Sequence, residues 1–426
     1  MLKKIGITIL ILVLVTIGLI YWSVSGSPKS FGRAVLVDFD SVEDINFKDY
    51  DSVLISASNA FNADGLKRFM QGHQYRDAWA AKVKVPILYL DSLNGGMTIV
   101  KEGGGKQTHS LRLLGGDSIT YTIRSVNKDP KPLIPEFAKT LGLENIIEDG
   151  ISAQHPYAAI LAAALSKPAN VISTYPKMFF VPEQNALGKY NEEYGNRLFL
   201  LEFETKSKKN WTPLDSISEI IDTDNLQKMR KKIGQRIQVD KRALIRSRLF
   251  DIIIGDWDRH AKQWGWAIQK VDSLNFKAIP VAGDRDNAFF MVDGIIPTML
   301  SNKNAVKELR PFTSEVDYME GLVYPFDRYF LLNTPPEMFK SEAKFLQNNL
   351  NNEAIEEALQ KWPKTIRELN GEDIARKLKS RRDSINVYAL EFKKIIDRQG
   401  PLANHLKGSK KLELNHGLQS CFECDN

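Results

Sequence analysis

Residues 5–22 read IGITILILVLVTIGLIYW and carry no charged side chain. No other stretch limits the folding of this chain so strictly. At about 1.5 Å per residue these eighteen residues reach roughly 27 Å as a helix, close to the ~30 Å hydrocarbon thickness of a bilayer. Lipid offers no partner to a backbone N–H or C=O, so the run can cross only as a helix. The sequence therefore predicts a membrane anchor over residues 1–24, with the membrane as partner through residues 5–22. Lys3 and Lys4 precede the run and favour a cytoplasmic N-terminus, with the main domain periplasmic or otherwise extracytoplasmic. Tyr21 and Trp22 stand at the far interface. The run is long for a signal-peptide core, so the reading is an uncleaved single-pass anchor, although SVSG (23–26) offers a weak small-residue cleavage site. No Cys follows it, which excludes a bacterial lipoprotein.

The remaining chain is ordinary globular material. Of 426 residues, 43% are hydrophobic and 26% charged, enough for a large core and against general disorder. Net charge is +6, and the one basic run, KMRKKIGQRIQVDKRALIRSR (228–248), reads as a solvated helix face. No nucleic-acid motif accompanies it, so no nucleic acid is expected as partner. Both cysteines, Cys421 and Cys424, lie in the final CFECDN. One CxxC without a second pair reads as a local thiol pair rather than a zinc or redox site.

After the linker 25–33, the first half is rich in strand signals. RAVLVDFD and DSVLISAS read as strands, with a helix near NADGLKRFM; YRDAWAAKVKVPILYLD leads into another strand. NGGMTIVKEGGGKQTHSLRLL and GGDSITYTIRSVNKDP read as consecutive antiparallel strands joined by glycine-rich turns. Residues 146–167 read as a helix bent at Pro156, and YPKMFFVP and NRLFLLEFE as two more strands. From about 214 the pattern turns helical, over 214–236, 240–254 and much of 336–395, interrupted by the hairpin WGWAIQKVDSLNFKAIPVAG. The expected architecture is α+β: a strand-rich part over 34–205 and a helical part over 206–400 that carries the hairpin. Residues 401–426 are polar and poorly patterned, and a disordered tail is expected there. No internal repeat is present.

Two acidic clusters flank that hairpin: GDWDRHAKQWGW (255–266) and GDRDNAFF (283–290). Asp258 and Asp284 are 26 residues apart, but a hairpin brings its two ends together, so both can face one cleft. Apolar neighbours (Trp257, Trp264, Trp266, Phe289 and Phe290) would dry that cleft, and carboxylates in a dry cleft need partners. A hard divalent cation, Mg²⁺ or Mn²⁺, supplies one. Phosphoryl transfer uses this set: one carboxylate to orient or deprotonate a hydroxyl, a second to hold the metal, and a cation with a glycine turn to hold the phosphates.

GDWDRHAKQ resembles the catalytic loop of atypical protein-kinase-like enzymes, sharing D-R-H with phosphatidylinositol kinases and secreted Golgi casein kinases. HipA-type kinases carry a related loop. GDRDNAFF resembles their metal-binding segment, and the pairing of a W-D loop with an IPxxxDxD segment is similar to the spore-coat kinase family CotH. More broadly, GGGKQTHSLRLL…YTIRSVNKDP and SAQHPYAAI resemble a membrane-associated bacterial group of Bacteroidetes type, over roughly residues 70–395. The resemblance implies a two-lobed protein-kinase-like fold with a strand-rich N-lobe and a helical C-lobe, and ATP as phosphate donor. It implies Asp258 as the catalytic-loop aspartate and Asp284 as a metal ligand, with Ala288 and Phe289 on the family's Ala-Phe. Gln263 falls where many relatives have a ligating Asn, and Asp286 on a variable position beside the metal. Arg124 falls where relatives carry the nucleotide-binding lysine, with Lys128 or Lys106 as stand-ins. Gly103, Gly104 and Gly105 form the turn over the phosphates. Glu202 belongs to the segment joining the lobes, and Asp149 or Glu148 pairs with Arg124 from behind. Arg259 and His260 support the loop, His260 by hydrogen-bonding its backbone. Asp256 stands where relatives usually have Asn.

Gln263 is a longer ligand than Asn, and Arg124 is forked and permanently charged, so it does not replace lysine one for one. These departures support a rival reading, a catalytically inactive pseudokinase that holds a nucleotide or scaffolds envelope partners. A bacterial periplasm, poor in ATP, favours the same rival. A metal-dependent hydrolase is weaker, because two-metal sites recruit several His and Asp ligands. The acceptor hydroxyl, on protein, glycan or lipid, is not specified by the sequence. Tyr75, Arg76, Asp77 and Trp79 read as structural packing, and His155-Pro156 as shaping its helix.

Overall fold

The computed structural model describes residues 2–24, 34–37, 45–104, 107–134, 136–304 and 306–424. Among the described residues twelve strands form three sheets. β1 (Val35–Leu36), β2 (Ser52–Ser56) and β3 (Lys82–Pro86) make a small antiparallel sheet. β4 (Met97–Gly104), β5 (His109–Gly115), β6 (Thr120–Ser125), β7 (Lys177–Val181) and β8 (Arg197–Phe203) make an antiparallel sheet in the order β4-β5-β6-β8-β7. β9 (Ile217–Asp222), β10 (Ile237–Val239), β11 (Trp264–Lys270) and β12 (Phe276–Ala282) run β10-β12-β11-β9, with β10 parallel to β12. The fold is α+β, as expected.

Period-two patterning explains the five-stranded sheet. In β8, Leu198 and Leu200 face the main core, while Phe199 and Leu201 face a second cluster with Leu111, Leu113 and Ile123. A strand apolar on both faces belongs in the middle of a sheet, and β8 lies between β6 and β7.

The helix Lys241–Ile254 is the main internal beam. Asp240 caps its start by accepting from the Ala243 N–H, and Gly255 ends it in a left-handed conformation. Its residues from Ser247 to Ile254 are all buried, packed against the helices Pro336–Asn349, Lys364–Asp383 and Ile385–Gln399. In the core Trp264 stacks on Phe326, and Trp266 packs at a tilt against Phe326 and Phe330. Gly265 is needed for a close approach: a Cβ there would lie 2.2 Å from the Thr205 carbonyl oxygen. That contact brings the chain leaving β8 against the hairpin.

Several segments differ from expectation. Residues 214–236 are not one helix; 217–222 form an edge strand on β11, and the helix is Thr223–Ile233. Pairing with β11 buries Ile220 and Ile221 in a way an isolated helix could not. Residues 146–167 break into Glu144–Asp149, the turn Gly150–Ala153 and Ala158–Ser166, with Pro156, which lacks an N–H, in the gap. After Gly400 the chain is folded, not disordered. Leu402, Leu406, Leu418 and Phe422 are buried, Phe422 N–H donates to the Tyr329 carbonyl (2.8 Å), and Cys421 and Cys424 form a disulfide. The linker 25–33 lies outside the described residues. Arg76 and Trp79 are buried structural residues, as read from the sequence.

The helix Leu2–Val24 is long and apolar enough over Lys3–Ser23 to cross a membrane.

Candidate functional site

Helix capping and hairpin register together build the site. Gly255 ends the helix 241–254 and releases residues 256–263 as a loop; β11 then starts at Trp264, opposite Ala282 at the end of β12. Gly283 N–H donates to the Gln263 carbonyl (3.0 Å), so the two acidic clusters lie side by side. Phe289 N–H donates to the Ile254 carbonyl (2.9 Å), which pins the second cluster to the helix end. Asp284 and Phe289 have φ of 57° and 61°, left-handed values uncommon outside glycine and enriched at functional positions.

Arg259 clamps the clusters from behind. It is fully buried, and its guanidinium donates to Asp251 (3.1 Å), to the Gly283 carbonyl (2.8 Å) and to Gln263 Oε1 (3.3 Å), over the Trp264 ring. Asp251 also accepts from Arg248 (3.0 Å) and Arg285 (2.9 Å), and Arg248 is paired with Asp327 (2.6 Å). Burial alone would raise the Asp251 carboxyl, but the charges of Arg259, Arg285 and Arg248 outweigh it and hold it below its ordinary value. Asp256, whose contact with Arg259 is 3.5 Å, is pushed well up by burial. Arg248, Asp251, Arg285 and Asp327 were not singled out from the sequence. Asp251 had a visible signal, a carboxylate in the apolar run LFDIIIG.

The front of the site is a cavity of about 1040 Å³, at the upper end of ligand-site sizes of roughly 300–1,000 Å³. Asp258, His260, Gln263, Asp284 and Asp286 all line it. Burial pushes the Asp258 carboxyl up, and the negative charges of Asp284 and Asp286 push the same way against His260 and Arg259. Gln263 Nε2 donates to Asp258 (3.3 Å). His260 Nε2 is 4.0 Å from Asp258, and its Nδ1 is buried with no hydrogen-bond partner among the described residues. Its ring lines the cavity.

Beside the cavity, the five-stranded sheet brings Arg124 and Glu202 to the second acidic cluster. Arg124 on β6 pairs with Asp284 (2.5 Å) and with Glu202 on β8 (2.8 Å), and lies 4.0 Å from Asp286. Lys128 pairs with Asp286 and donates to Thr108 Oγ1 (3.0 Å). Burial alone would raise Asp284; the Arg124 charge and hydrogen bond, with Lys128, hold it well below the usual carboxylate range. Glu202 is buried in the sheet, where it accepts from the Thr174 hydroxyl. Burial raises its carboxyl despite Arg124. A smaller pocket of about 130 Å³, lined by Arg124, Glu202, Phe203, Thr205 and Gly283, lies here. Gly103 and Gly104 end β4, and Gly104 lines the main cavity; Gly105 and Lys106 lie outside the described residues. Asp149 is not beside Arg124. It binds Arg76 and Lys67, because its helix packs towards 65–80 rather than against the sheet.

Asn287 and Lys407, which the sequence reading does not name, also line the cavity. Asn287 Oδ1 is buried without a hydrogen-bond partner among the described residues, in the wall that holds Asp286. Lys407, from the folded tail, also lines the cavity and its charge lowers the His260 pKa, second to burial among the lowering influences. No sequence signal marked Lys407, because the tail pattern is weak.

The donor set suits a hard cation in kind: two carboxylates, Asp284 and Asp286, with the orphaned Asn287 oxygen beside them. Among the described residues no three His, Cys, Asp or Glu side chains converge as a ready-made metal cage. Mg²⁺ does not require one; it is held by one or two carboxylates, keeps several waters and is completed by substrate phosphates. No protein-family model matches the chain, and no curated protein matches it.

Proposed function

We propose that the protein is a membrane-anchored, metal-dependent phosphotransferase with a two-lobed, protein-kinase-like arrangement, moving a phosphoryl group from ATP to a hydroxyl. One observation carries this reading: Asp258, Asp284 and Asp286 line one cavity, and partly exposed cations, Arg124 beside the cavity and Lys128 in its lining, are paired directly with Asp284 and Asp286. Carboxylates paired with cations at the edge of a cavity supply what metal–triphosphate binding needs, since phosphates can take the cations while the metal takes the carboxylates.

In this reading Asp284 and Asp286 hold Mg²⁺ or Mn²⁺, with Gln263 or Asn287 assisting. The metal supplies charge neutralisation and orientation of the phosphates. Arg124 and Lys128 bind phosphate oxygens, and the Gly103–Gly104 strand end covers them. Glu202 holds the Arg124 fork beside Asp284. Asp258 receives the acceptor proton as the acceptor oxygen bonds to the γ-phosphorus. The bond to the β–γ bridging oxygen breaks and ADP leaves. A carboxyl raised by its surroundings is better matched to proton transfer at neutral pH than an ordinary aspartate.

The first test is the thermal stability of the full chain in detergent micelles with Mn²⁺ and ATP, beside Asp284→Ala. Ligand at a hundred times Kd stabilises by about 2.7 kcal/mol, a visible shift in the wild type that the variant should lack. No shift with any nucleotide or metal removes the phosphotransferase reading. A second reading, a nucleotide-holding module without turnover, is favoured by Gln263, whose two amide atoms are engaged by Asp258 and Arg259. Binding without phosphate release or transfer, unchanged in Asp258→Asn, would select it. We place the domain outside the cytoplasm; a C-terminal reporter accessible to protease in spheroplasts checks this. A protected reporter would put the domain where ATP is abundant.

A further inference from the structure

Five large apolar side chains are exposed where the membrane helix meets the domain. Phe69 is 62% exposed, Leu141 52%, Ile295 42%, Met299 71% and Leu300 54%. They come from three separate segments, and hydrogen bonds and backbone contacts gather those segments around the end of the helix. The Tyr21 hydroxyl donates to the Leu141 carbonyl (2.6 Å), and Gln71 Nε2 donates to Ser23 Oγ (3.0 Å). The short helix Ile295–Leu300 then starts against Gln71 and Gly72: a Cβ on Gly294 would lie 2.2 Å from the Gly72 nitrogen. The Asp293 carboxylate locks this approach by accepting from His73 N–H (2.8 Å) and Gln74 N–H (3.0 Å).

The span fixes the depth of these residues. If Lys3–Ser23 crosses a bilayer, Tyr21 and Ser23 lie at its surface. Groups bonded to them lie there too. An exposed apolar cluster facing water is unfavourable, whereas at the interface the same side chains bury against acyl chains.

The cavity of the candidate site reaches this rim. Pro297 and Leu300 line it together with Ile147, Ile151 and Val292, while Asp258 lines its charged wall. One end is therefore apolar and membrane-facing, and the other is acidic and polar. We infer that the face of Phe69, Leu141, Ile295, Met299 and Leu300 sits in the bilayer interface, and that the cavity takes its acceptor from there. The acceptor is then a hydroxyl-bearing membrane amphiphile, its hydroxyl at Asp258 and its apolar part along Ile147, Ile151 and Leu300. The acceptor half rests on the phosphotransferase reading; the seating half does not.

The experiment uses the full chain in nanodiscs of phosphatidylcholine, phosphatidylglycerol and diacylglycerol, the last two being hydroxyl-bearing. With Cys421 and Cys424 in a disulfide, Met299→Cys gives a single thiol for bimane, and Val387→Cys gives a control on a helix away from the face. Doxyl lipids should quench the label at 299 and not at 387; equal behaviour of the two overturns the seating. Loss of quenching together with self-association that Met299→Asp abolishes would assign the face to a second copy. Labelled phosphate from Mn²⁺–ATP should appear in the chloroform phase. It should fall about tenfold, equivalent to about 1.4 kcal/mol, in Ile295→Asp/Met299→Asp, whose Mn²⁺–ATP stabilisation persists. Stabilisation without chloroform-soluble phosphate overturns the amphiphile acceptor and leaves the phosphotransferase reading standing. No stabilisation in the wild type removes that reading and the acceptor with it, while the quenching result still decides the seating.

Discussion

Two groups of charges meet at this site, and they are built differently. Behind the cavity, Arg248, Asp251, Asp256, Arg259, Arg285 and Asp327 are sealed, with side chains no more than 3% exposed. In front, Arg124, Lys128, Asp284 and Asp286 are 7–33% exposed. The sealed group joins the helix Lys241–Ile254 to the loop that leaves it, to the segment after β12 and, through Asp327, to the helix Pro325–Leu331. The front pairs instead cross between two sheets, Arg124 on the five-stranded sheet and Asp284 just after β12. A charge with no access to water cannot exchange its partner without a desolvation cost of several kcal/mol. A partly hydrated pair can exchange for a phosphate or a metal at little cost. The sealed group is thus a scaffold, and the front group has the freedom that ligand binding requires.

The largest expected effect tests the scaffold. Asp251→Asn keeps the shape but removes the charge that faces three arginines. It should destabilise the full chain by about 3–5 kcal/mol, the cost of breaking a buried pair, measured by denaturant unfolding in mild detergent. A loss below about 1 kcal/mol, the size of a surface pair, would erase the distinction between the two groups.

Asp284→Asn should cost less, about 1–2 kcal/mol, because the side chain is one-third exposed and solvent screens the pair. Its dependence on pH has a definite sign. The folded carboxyl is held below its ordinary value, so its stabilisation is fully present above about pH 3.9 and is lost as pH falls towards the folded value. The gap between wild type and variant should stay constant through the neutral range and close only in acid. A gap that closes between pH 5 and 7 would mean that Asp284 is not held by Arg124.

Asp256→Asn should cost under about 1 kcal/mol, within the scatter of mild substitutions. Asp256 belongs to the sealed group by position, yet burial raises it and its one arginine contact is long. A loss as large as that of Asp251→Asn would show that Asp256 is ionised and structural.

How much of this could be read from the chain depended on range. The hairpin was legible because its signals are local: two apolar runs around DSLN, where Asp272 accepts from the Leu274 and Asn275 N–H groups. The meeting of Asp258 and Asp284 follows from it. The patterning of β6 puts Arg124 near the acidic cluster, where it pairs with Asp284, but charge complementarity does not say which helix faces the sheet, so a partner on a helix is not legible. Asp149 found Arg76 instead. The tail was missed for the opposite reason. Leu402, Leu406, Leu418 and Phe422 are sparse in a polar stretch, and their burial depends on Tyr329, far away in sequence. Lys407 came to the site with them.

The smallest effect on stability separates the two groups most clearly. Asp258 is 29% exposed, and burial raises its carboxyl, with Asp284 and Asp286 adding to the shift. Between the ordinary carboxylate value and the raised one, the folded chain binds more proton than the unfolded chain. Stability therefore falls as pH rises through that window. Asp258→Asn removes the penalty while keeping an oxygen towards Gln263. The variant should melt at or slightly above the wild type at neutral pH, and its stability should fall less as pH is raised from about 4. Thermal melts of both proteins from pH 4 to 8 measure this directly. A residue whose removal stabilises the fold, in a wall otherwise held by ion pairs, is retained for chemistry rather than structure. A variant that instead melts several degrees below the wild type at every pH would place Asp258 in the scaffold with Asp251, and the front of the cavity would lose its candidate base.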